Sequence, residues 1–154
     1  MIGRIIKKII NTYIYKPLRG KSYISLPKSI QNRKARINIK NNDDKCFIYC
    51  LGRRFDPNPQ KDHLEKCNKH LKKTCENLGF GKIKTPVKVT AIPRIKKQFG
   101  ITINIYEHNG GKIYIIKSNS TIVDESKHID LLLTSQENED EDTVAVHYVW
   151  IKNF

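Results

Sequence analysis

The sequence contains no run of apolar residues long enough to cross a membrane as a helix. Residues 1–15 do not have the pattern of a secretory signal, because Lys7 and Lys8 interrupt their apolar stretch and no small-residue cleavage site follows. Four cysteines in a chain without such a signal predict reduced thiols rather than a disulfide framework. We therefore expect an intracellular protein, in the cytoplasm or the nucleus, with no membrane span.

Acidic residues are scarce in the first part of the chain. Residues 1–100 contain 25 Lys and Arg against 6 Asp and Glu, a net charge of +19, whereas residues 101–154 contain 4 against 9, a net charge of −5. A basic part of this size attracts polyanions such as nucleic acid. The chain is also rich in Lys, Asn and Ile, which AT-rich codons supply, so codon bias is the alternative source of the charge.

If the basic part binds nucleic acid, its phosphate contacts are expected from two clusters of cationic side chains, Lys69, Lys72 and Lys73 in one and Arg53 and Arg54 in the other. Aromatic residues near this basic part could stack on bases, although aromatics are equally at home in a core. These aromatic residues are Tyr13, Tyr15, Tyr23 and Phe55.

The length of 154 residues fits one domain with its own core. Isoleucines at helical spacing predict an amphipathic helix at the N-terminus, followed by a basic connector, together residues 1–20. Residues 21–154 are expected to form a single α+β domain. No internal repeat is visible.

The apolar pattern changes period along this domain, from helical in front to alternating behind. Helices are predicted at 45–55, 60–77 and 91–99, the last with Gly100 as its C-cap. Strands are predicted at 35–40, 101–106, 112–116, 128–134 and 143–151, with an acidic loop at 136–142. The expected fold class is α+β, with N-terminal helices packed on a small, mainly antiparallel sheet.

Cys46 lies in the first turn of the first of these helices, which Asp43 or Asp44 can cap. The helix dipole and Lys45 both favour the thiolate form of Cys46, and the thiolate is the nucleophile. His147, on the last predicted strand, can serve as its partner base. The alternative interpretation is a small buried cysteine in a core helix.

Three further residues, His63, Cys67 and His70, share one face of the predicted second helix at a spacing that could suit zinc. Three ligands from one helix is unusual, and no Cys-x-x-Cys pair supports the site. We therefore assign no metal and no cofactor to the chain.

The segment Asp43-Asp44-Lys45-Cys46-Phe47 resembles the signature Asp-Gly-Asn-Cys-[Leu/Phe] of ovarian-tumour (OTU) cysteine peptidases, and His147-Tyr148 resembles that family's His-Tyr. The resemblance implies an OTU/papain-like fold, Cys46 as nucleophile, His147 as base and a protein or ubiquitin-like substrate. The sequence departs from the family at Asp44, at Lys45 and at Val149, where an Asp or Asn usually orients the histidine. Asp43 is then the candidate for the third catalytic residue.

A second resemblance covers most of the chain from Tyr23 onward. It is carried in order by Tyr23-Ile24-Ser25-Leu26-Pro27-Lys28, Ile37-Asn38-Ile39-Lys40-Asn41, residues 43–47, 101–106 and 128–133, and His147-Tyr148-Val149-Trp150-Ile151-Lys152-Asn153. These segments resemble a module of Polinton/Maverick-type mobile elements that lies upstream of a zinc finger and a protein-primed family B DNA polymerase. The resemblance implies a mobile-element or viral protein.

Two classes of function follow: the sequence favours the first, with its activity left open, and the second is the alternative. The first is a cysteine peptidase, an OTU-like deubiquitinase or a related enzyme, using Cys46, His147 and Asp43. The second is a catalytically inactive, nucleic-acid-binding accessory module associated with a mobile-element DNA polymerase. The paired Cys and His motifs favour the first class, whereas the basic charge favours the second.

Overall fold

The computed structural model describes residues 18–20, 23–30, 35–109, 112–118, 124–138 and 143–154. The predicted amphipathic helix lies outside these residues. The described part of the chain contains three α-helices and six β-strands, with the helices packed on one mixed sheet. This architecture confirms the predicted α+β class.

The helices are α1 (Cys46–Phe55), α2 (Lys69–Asn77) and α3 (Ile92–Phe99). As predicted, α3 ends at Gly100, whose left-handed φ of 62° is a conformation that glycine adopts without steric cost. The first helix also ends where the sequence predicts, immediately before the proline-containing segment at 56–59.

Two helix starts differ from the predictions. Residue Lys45, not Asp43 or Asp44, is the N-cap of α1, and its side chain makes no capping hydrogen bond. Asp43 instead accepts a hydrogen bond from the Lys45 N–H at 3.1 Å, which stabilises a turn before the helix. The predicted helix at 60–77 begins only at Lys69, because Asn68 caps it through the Leu71 N–H at 3.0 Å.

The six strands are β1 (Leu18–Gly20), β2 (Arg36–Ile37), β3 (Thr102–Asn109), β4 (Lys112–Lys117), β5 (His128–Asn138) and β6 (Thr143–Ile151). The segment predicted as a strand at 35–40 contains only β2 and an isolated bridge at Lys40, whereas β5 extends into the predicted acidic loop.

The sheet order is β1-β6-β5-β3-β4, and β2 pairs separately with β6. The pairs β3/β4, β5/β6 and β2/β6 are antiparallel, whereas β1/β6 and β3/β5 are parallel. The sheet is therefore mixed, with antiparallel pairs in a small majority. The parallel β3/β5 pair arises because β4 forms a hairpin on one edge of β3 and the chain then crosses to the other edge.

Both faces of β6 are covered. On the helical face, Val146, Tyr148 and Trp150 pack with the apolar sides of the helices in the larger core cluster. On the second face lies a smaller cluster, composed of Leu26, Ile30, Leu132, Val149 and Ile151. Because side chains alternate along a strand, His147 belongs to this second face.

Candidate functional site

Cys46 lies in the first turn of α1, as predicted, where it is the first residue, and it contacts β6 directly. Strand β1 pairs with residues 144–146 of β6 and β2 pairs with residues 150–151, so residues 147–149 lie between these two short partners. In this interval Tyr148 donates its N–H to Cys46 Sγ at 3.4 Å, and the Cys50 thiol donates to the Tyr148 carbonyl at 3.4 Å. The two thiols thus help to dock α1 on the edge of β6.

Burial controls the ionisation of Cys46. The residue is 3% exposed, and desolvation raises the pKa of its thiol to about 11, with the charge of Asp43 acting in the same direction. The Tyr148 and Phe47 amides lower the pKa, but by less. The thiolate expected from the helix dipole and Lys45 is therefore not favoured, because the cost of removing a charged sulfur from water is larger.

His147 is completely buried on the second face of β6. Its Nε2 atom lies 2.6 Å from Asn38 Oδ1, and its ring makes an edge-on contact with Tyr23 at 6.1 Å between centroids. Asn38 is itself held by a hydrogen bond of 2.8 Å from its Nδ2 to the Ile24 carbonyl. The described hydrogen bond of Cys46 is therefore to the backbone of β6, whereas that of the His147 ring is to Asn38.

Asp43, the predicted third catalytic residue, belongs to the loop before α1. Its carboxylate accepts hydrogen bonds from Asn41 Nδ2 at 3.0 Å, from the Lys45 N–H at 3.1 Å and from the Tyr49 hydroxyl at 2.7 Å. Burial alone would raise the pKa of Asp43, but these hydrogen bonds outweigh it and lower the pKa. The carboxylate therefore holds this loop, while Asn38 is the described partner of the histidine.

Nothing in the sequence singled out Asn38. A polar residue in an alternating segment is expected to face water, and only the pairing of β2 with β6 shows that Asn38 faces His147. The asparagine is one of two polar positions in Ile37-Asn38-Ile39-Lys40, and its residue type alone does not distinguish it from a solvent-facing side chain.

The two predicted nucleic-acid-binding arginines both hydrogen-bond to backbone groups of the domain, Arg53 from a buried position and Arg54 from a half-buried one. Arg53 is 4% exposed, and its guanidinium donates to the carbonyls of Leu64 and Lys66 and to Gln60 Oε1. Arg54 donates to two carbonyl groups, those of Glu125 and His128. Both side chains therefore hold neighbouring segments of backbone, and we remove them from the expected nucleic-acid surface.

The three predicted lysines have a different setting. Lys69, Lys72 and Lys73 are exposed on α2. Within the described ranges, the ion pairs involve histidines, and none of them involves these three lysines. We call this set the α2 lysine surface.

A shallow depression of about 330 Å³ adjoins the α2 lysine surface. Lys40 Nζ lies 5.9 Å from the centroid of the Tyr23 ring there. The depression, which we call the Tyr23 depression, is lined by Tyr23, Lys40, Asn41, Asn42, Cys67 and Lys72. It combines two lysines with an aromatic ring beside the buried His147.

The zinc alternative loses its geometric basis. His63 has a left-handed backbone with φ of 55°, and both His63 and Cys67 precede α2 instead of sharing its face with His70. His70 contacts Asp56 Oδ2 at 2.7 Å through its Nε2 atom. In the part of the chain that the structure describes, no group of three or more His, Cys, Asp or Glu side chains could hold a metal ion.

Comparison with protein-family models, with curated proteins and with solved structures finds no match to this chain. Within the described residues, none of the helices combines the length and the apolar character needed to span a bilayer.

Proposed function

We propose that this domain is a catalytically inactive, nucleic-acid-binding accessory module that binds through the α2 lysine surface. The observation that carries the proposal is the exposure of Lys69, Lys72 and Lys73 without carboxylate partners among the described residues. Ammonium groups that are not neutralised by the protein can neutralise phosphates and release their condensed counterions.

The closed state of the cysteine and histidine supports the absence of catalysis. Cys46 is 3% exposed and His147 is 0% exposed, so a substrate carbonyl cannot approach either group without a rearrangement. The raised pKa of Cys46 also keeps its thiol protonated at neutral pH. A nucleophilic mechanism needs an accessible thiolate and a base within hydrogen-bonding reach.

The charge distribution supports the same proposal over a larger scale. The net charge of +19 in residues 1–100 attracts polyanions to this part of the chain, and the exposed lysines of α2 provide the local contacts with phosphates. In the setting that the Polinton/Maverick resemblance implies, the module would hold a nucleic-acid strand near a protein-primed DNA polymerase, in the cytoplasm or the nucleus.

Fluorescence anisotropy with a labelled oligonucleotide tests the proposal. The variant K69Q/K72Q/K73Q should bind more weakly than the wild type and show a salt slope about two units shallower, since each lost phosphate contact removes about 0.7–0.9 from the slope. The matched control, K28Q/K112Q/K127Q, neutralises three exposed lysines elsewhere and should lose less affinity. Equal loss in both variants would contradict a localised surface.

A second candidate function is an OTU/papain-like cysteine peptidase. It is favoured by one specific observation: Cys46 begins a helix, and its sulfur contacts the residue beside His147, whose ring has an asparagine partner. Activity would require a rearrangement that exposes the sulfur and brings the His147 ring, which lies on the second face of β6, within hydrogen-bonding reach of it. A ubiquitin-based probe with a C-terminal electrophile should then label the wild type but not C46A, and failure to label either protein would reject this candidate.

A further inference from the structure

We infer that the Tyr23 depression is a subsite for one unpaired nucleotide of a single-stranded nucleic acid. The inference rests on the nucleic-acid binding proposed above. It adds the place at which the nucleic acid is recognised and the requirement that the nucleic acid be single-stranded there. Three features of the depression carry it: a pair of lysines, an aromatic ring, and a buried acceptor that has no partner among the described residues.

The two lysines provide the phosphate contact. Lys40 and Lys72 line the same depression although they are distant in sequence, because the backbone of Lys40 pairs with that of Lys66 just before α2. The Lys40 N–H donates to the Glu65 carbonyl at 2.8 Å, which fixes this approach. A phosphate placed here meets two cationic side chains and continues onto the α2 lysine surface.

The Tyr23 ring provides the base contact. Its edge-on packing against His147 fixes the orientation of the ring, while Lys40 Nζ lies over the ring at 5.9 Å from the centroid. Lys40 Nζ therefore occupies this side of the ring, and a ligand that stacks there must displace the ammonium. When a phosphate draws the flexible Lys40 ammonium away, a nucleobase can stack in its place, and such stacking tolerates any sequence.

Asn41 provides an acceptor at the same place. The residue is 7% exposed and lines the depression, and its Nδ2 donates to the Asp43 carbonyl at 2.8 Å and to Asp43 Oδ1 at 3.0 Å. These two bonds orient the amide, and within the described residues Asn41 Oδ1 is buried without a hydrogen-bond partner. Because an unpaired buried acceptor costs free energy, a donor that reaches it is favoured.

The chemistry that satisfies all three features is that of an unpaired nucleotide. Its phosphate suits the two lysines, its base suits the ring, and a base amino group or a sugar hydroxyl suits Asn41 Oδ1. In a duplex the bases are stacked and paired, so they cannot reach Tyr23. An acidic peptide would use the lysines but not the ring and the acceptor together.

Photochemical crosslinking of the whole chain tests the subsite without any substitution. The probe is a single-stranded DNA of about twelve nucleotides, a length within the range of site sizes that single-strand-binding folds cover, with 5-iodouracil at its centre. Irradiation followed by tryptic mass spectrometry should place the crosslink on Tyr23. A crosslink confined to other residues would overturn the inference.

Anisotropy with variants provides the second arm. Tyr23→Leu should weaken single-strand binding by about fivefold or more, from the loss of one stacked base, and should change duplex binding by less than about twofold. Tyr23→Phe is the matched control, since it keeps the ring and should bind like the wild type. Thermal unfolding of each variant checks that the fold is retained.

The outcomes separate this inference from the proposed function. If K69Q/K72Q/K73Q loses binding while Tyr23→Leu does not, the lysine surface stands and the nucleotide subsite is wrong. If the wild type binds neither single strands nor duplexes, both are wrong. If a polyglutamate peptide competes as well as a single strand of equal charge, the depression is an acidic-peptide site and the inference is overturned.

Discussion

The backbone N–H of Tyr148 donates a hydrogen bond to the sulfur of Cys46 at 3.4 Å, so the cysteine joins the start of α1 to β6. Cys50 makes the complementary contact, from its thiol to the Tyr148 carbonyl at 3.4 Å. Between them the two cysteines contact both backbone polar groups of one residue in the strand. These contacts account for two neighbouring cysteines on one helix without invoking catalysis.

This relationship predicts the order in which the thiols react. Desolvation raises the pKa of all four cysteines, but Cys67 is only half-buried whereas the other three are buried. Brief treatment of the native protein with iodoacetamide at neutral pH should therefore modify Cys67 first, and the others only after unfolding. Peptide mass spectrometry measures the order. Preferential labelling of Cys46 would instead support the peptidase candidate.

The elements that the sequence predicted well are those with strong local signals. Gly100 ends α3, and the alternating segments form the principal strands, because period and turn residues act over short distances. The start of α2 was missed because capping by Asn68 and the pairing of Lys66 with Lys40 prevailed over a helical pattern that continues upstream. Such competition depends on tertiary contacts.

The candidate site was predicted less completely for a related reason. The sequence placed Cys46 at a helix start and His147 on a strand, and both positions are confirmed. It could not show that strand alternation turns His147 toward Asn38, or that desolvation of Cys46 outweighs the helix dipole. The burial of Arg53 was equally hidden, since a basic side chain near the end of a helix is usually exposed.

The contact between α1 and α2 gives a second prediction. A Cβ atom on Gly52 would lie 2.4 Å from Cys75 Sγ and 3.0 Å from the Leu71 side chain. Gly52→Ala should therefore lower the free energy of unfolding by about 1–3 kcal/mol through overpacking, despite the better helix propensity of alanine. Urea unfolding measures the change.

Cys75→Ala tests the cause of that loss. The double variant G52A/C75A removes the sulfur that the new methyl group would meet. Its loss in the free energy of unfolding should therefore be smaller than the sum of the losses in the two single variants. Strict additivity would mean that the clash with Cys75 is relieved elsewhere in the helix pair.

Arg53 should contribute more to the stability of the fold than the lysines of α2 do. Replacing Arg53 with Lys removes the planar group that reaches Leu64, Lys66 and Gln60, so we expect a loss of about 1–3 kcal/mol in the free energy of unfolding. Lys69→Gln should change stability by less than about 0.5 kcal/mol, because it alters an exposed side chain. Equal stability of the two variants would contradict a structural role for Arg53.

Glu107 is a buried carboxyl group on the face of β3 that packs in the core. It is 4% exposed, its Oε1 atom has no hydrogen-bond partner in the described part of the fold, and strand alternation places it beside Ile103 and Ile105. Burial raises the pKa of Glu107 from its usual value to about 7. The folded protein therefore binds this proton more tightly than the unfolded chain does.

The proton on Glu107 should make the free energy of unfolding depend on pH. Between the usual pKa of 4.5 and the folded value of about 7, the folded state holds a proton that the unfolded state has lost, so the free energy of unfolding falls as pH rises. Above pH 7, the burial of the ionised Glu107 should lower the free energy of unfolding by about 1–3 kcal/mol, a range that allows for solvent screening. Glu107→Gln should remove this slope and make the protein more stable than the wild type at pH 8, while leaving stability at pH 4 nearly unchanged. Urea unfolding across this range measures both quantities, and an identical slope in the variant would show that Glu107 is ionised in water rather than neutral in the core.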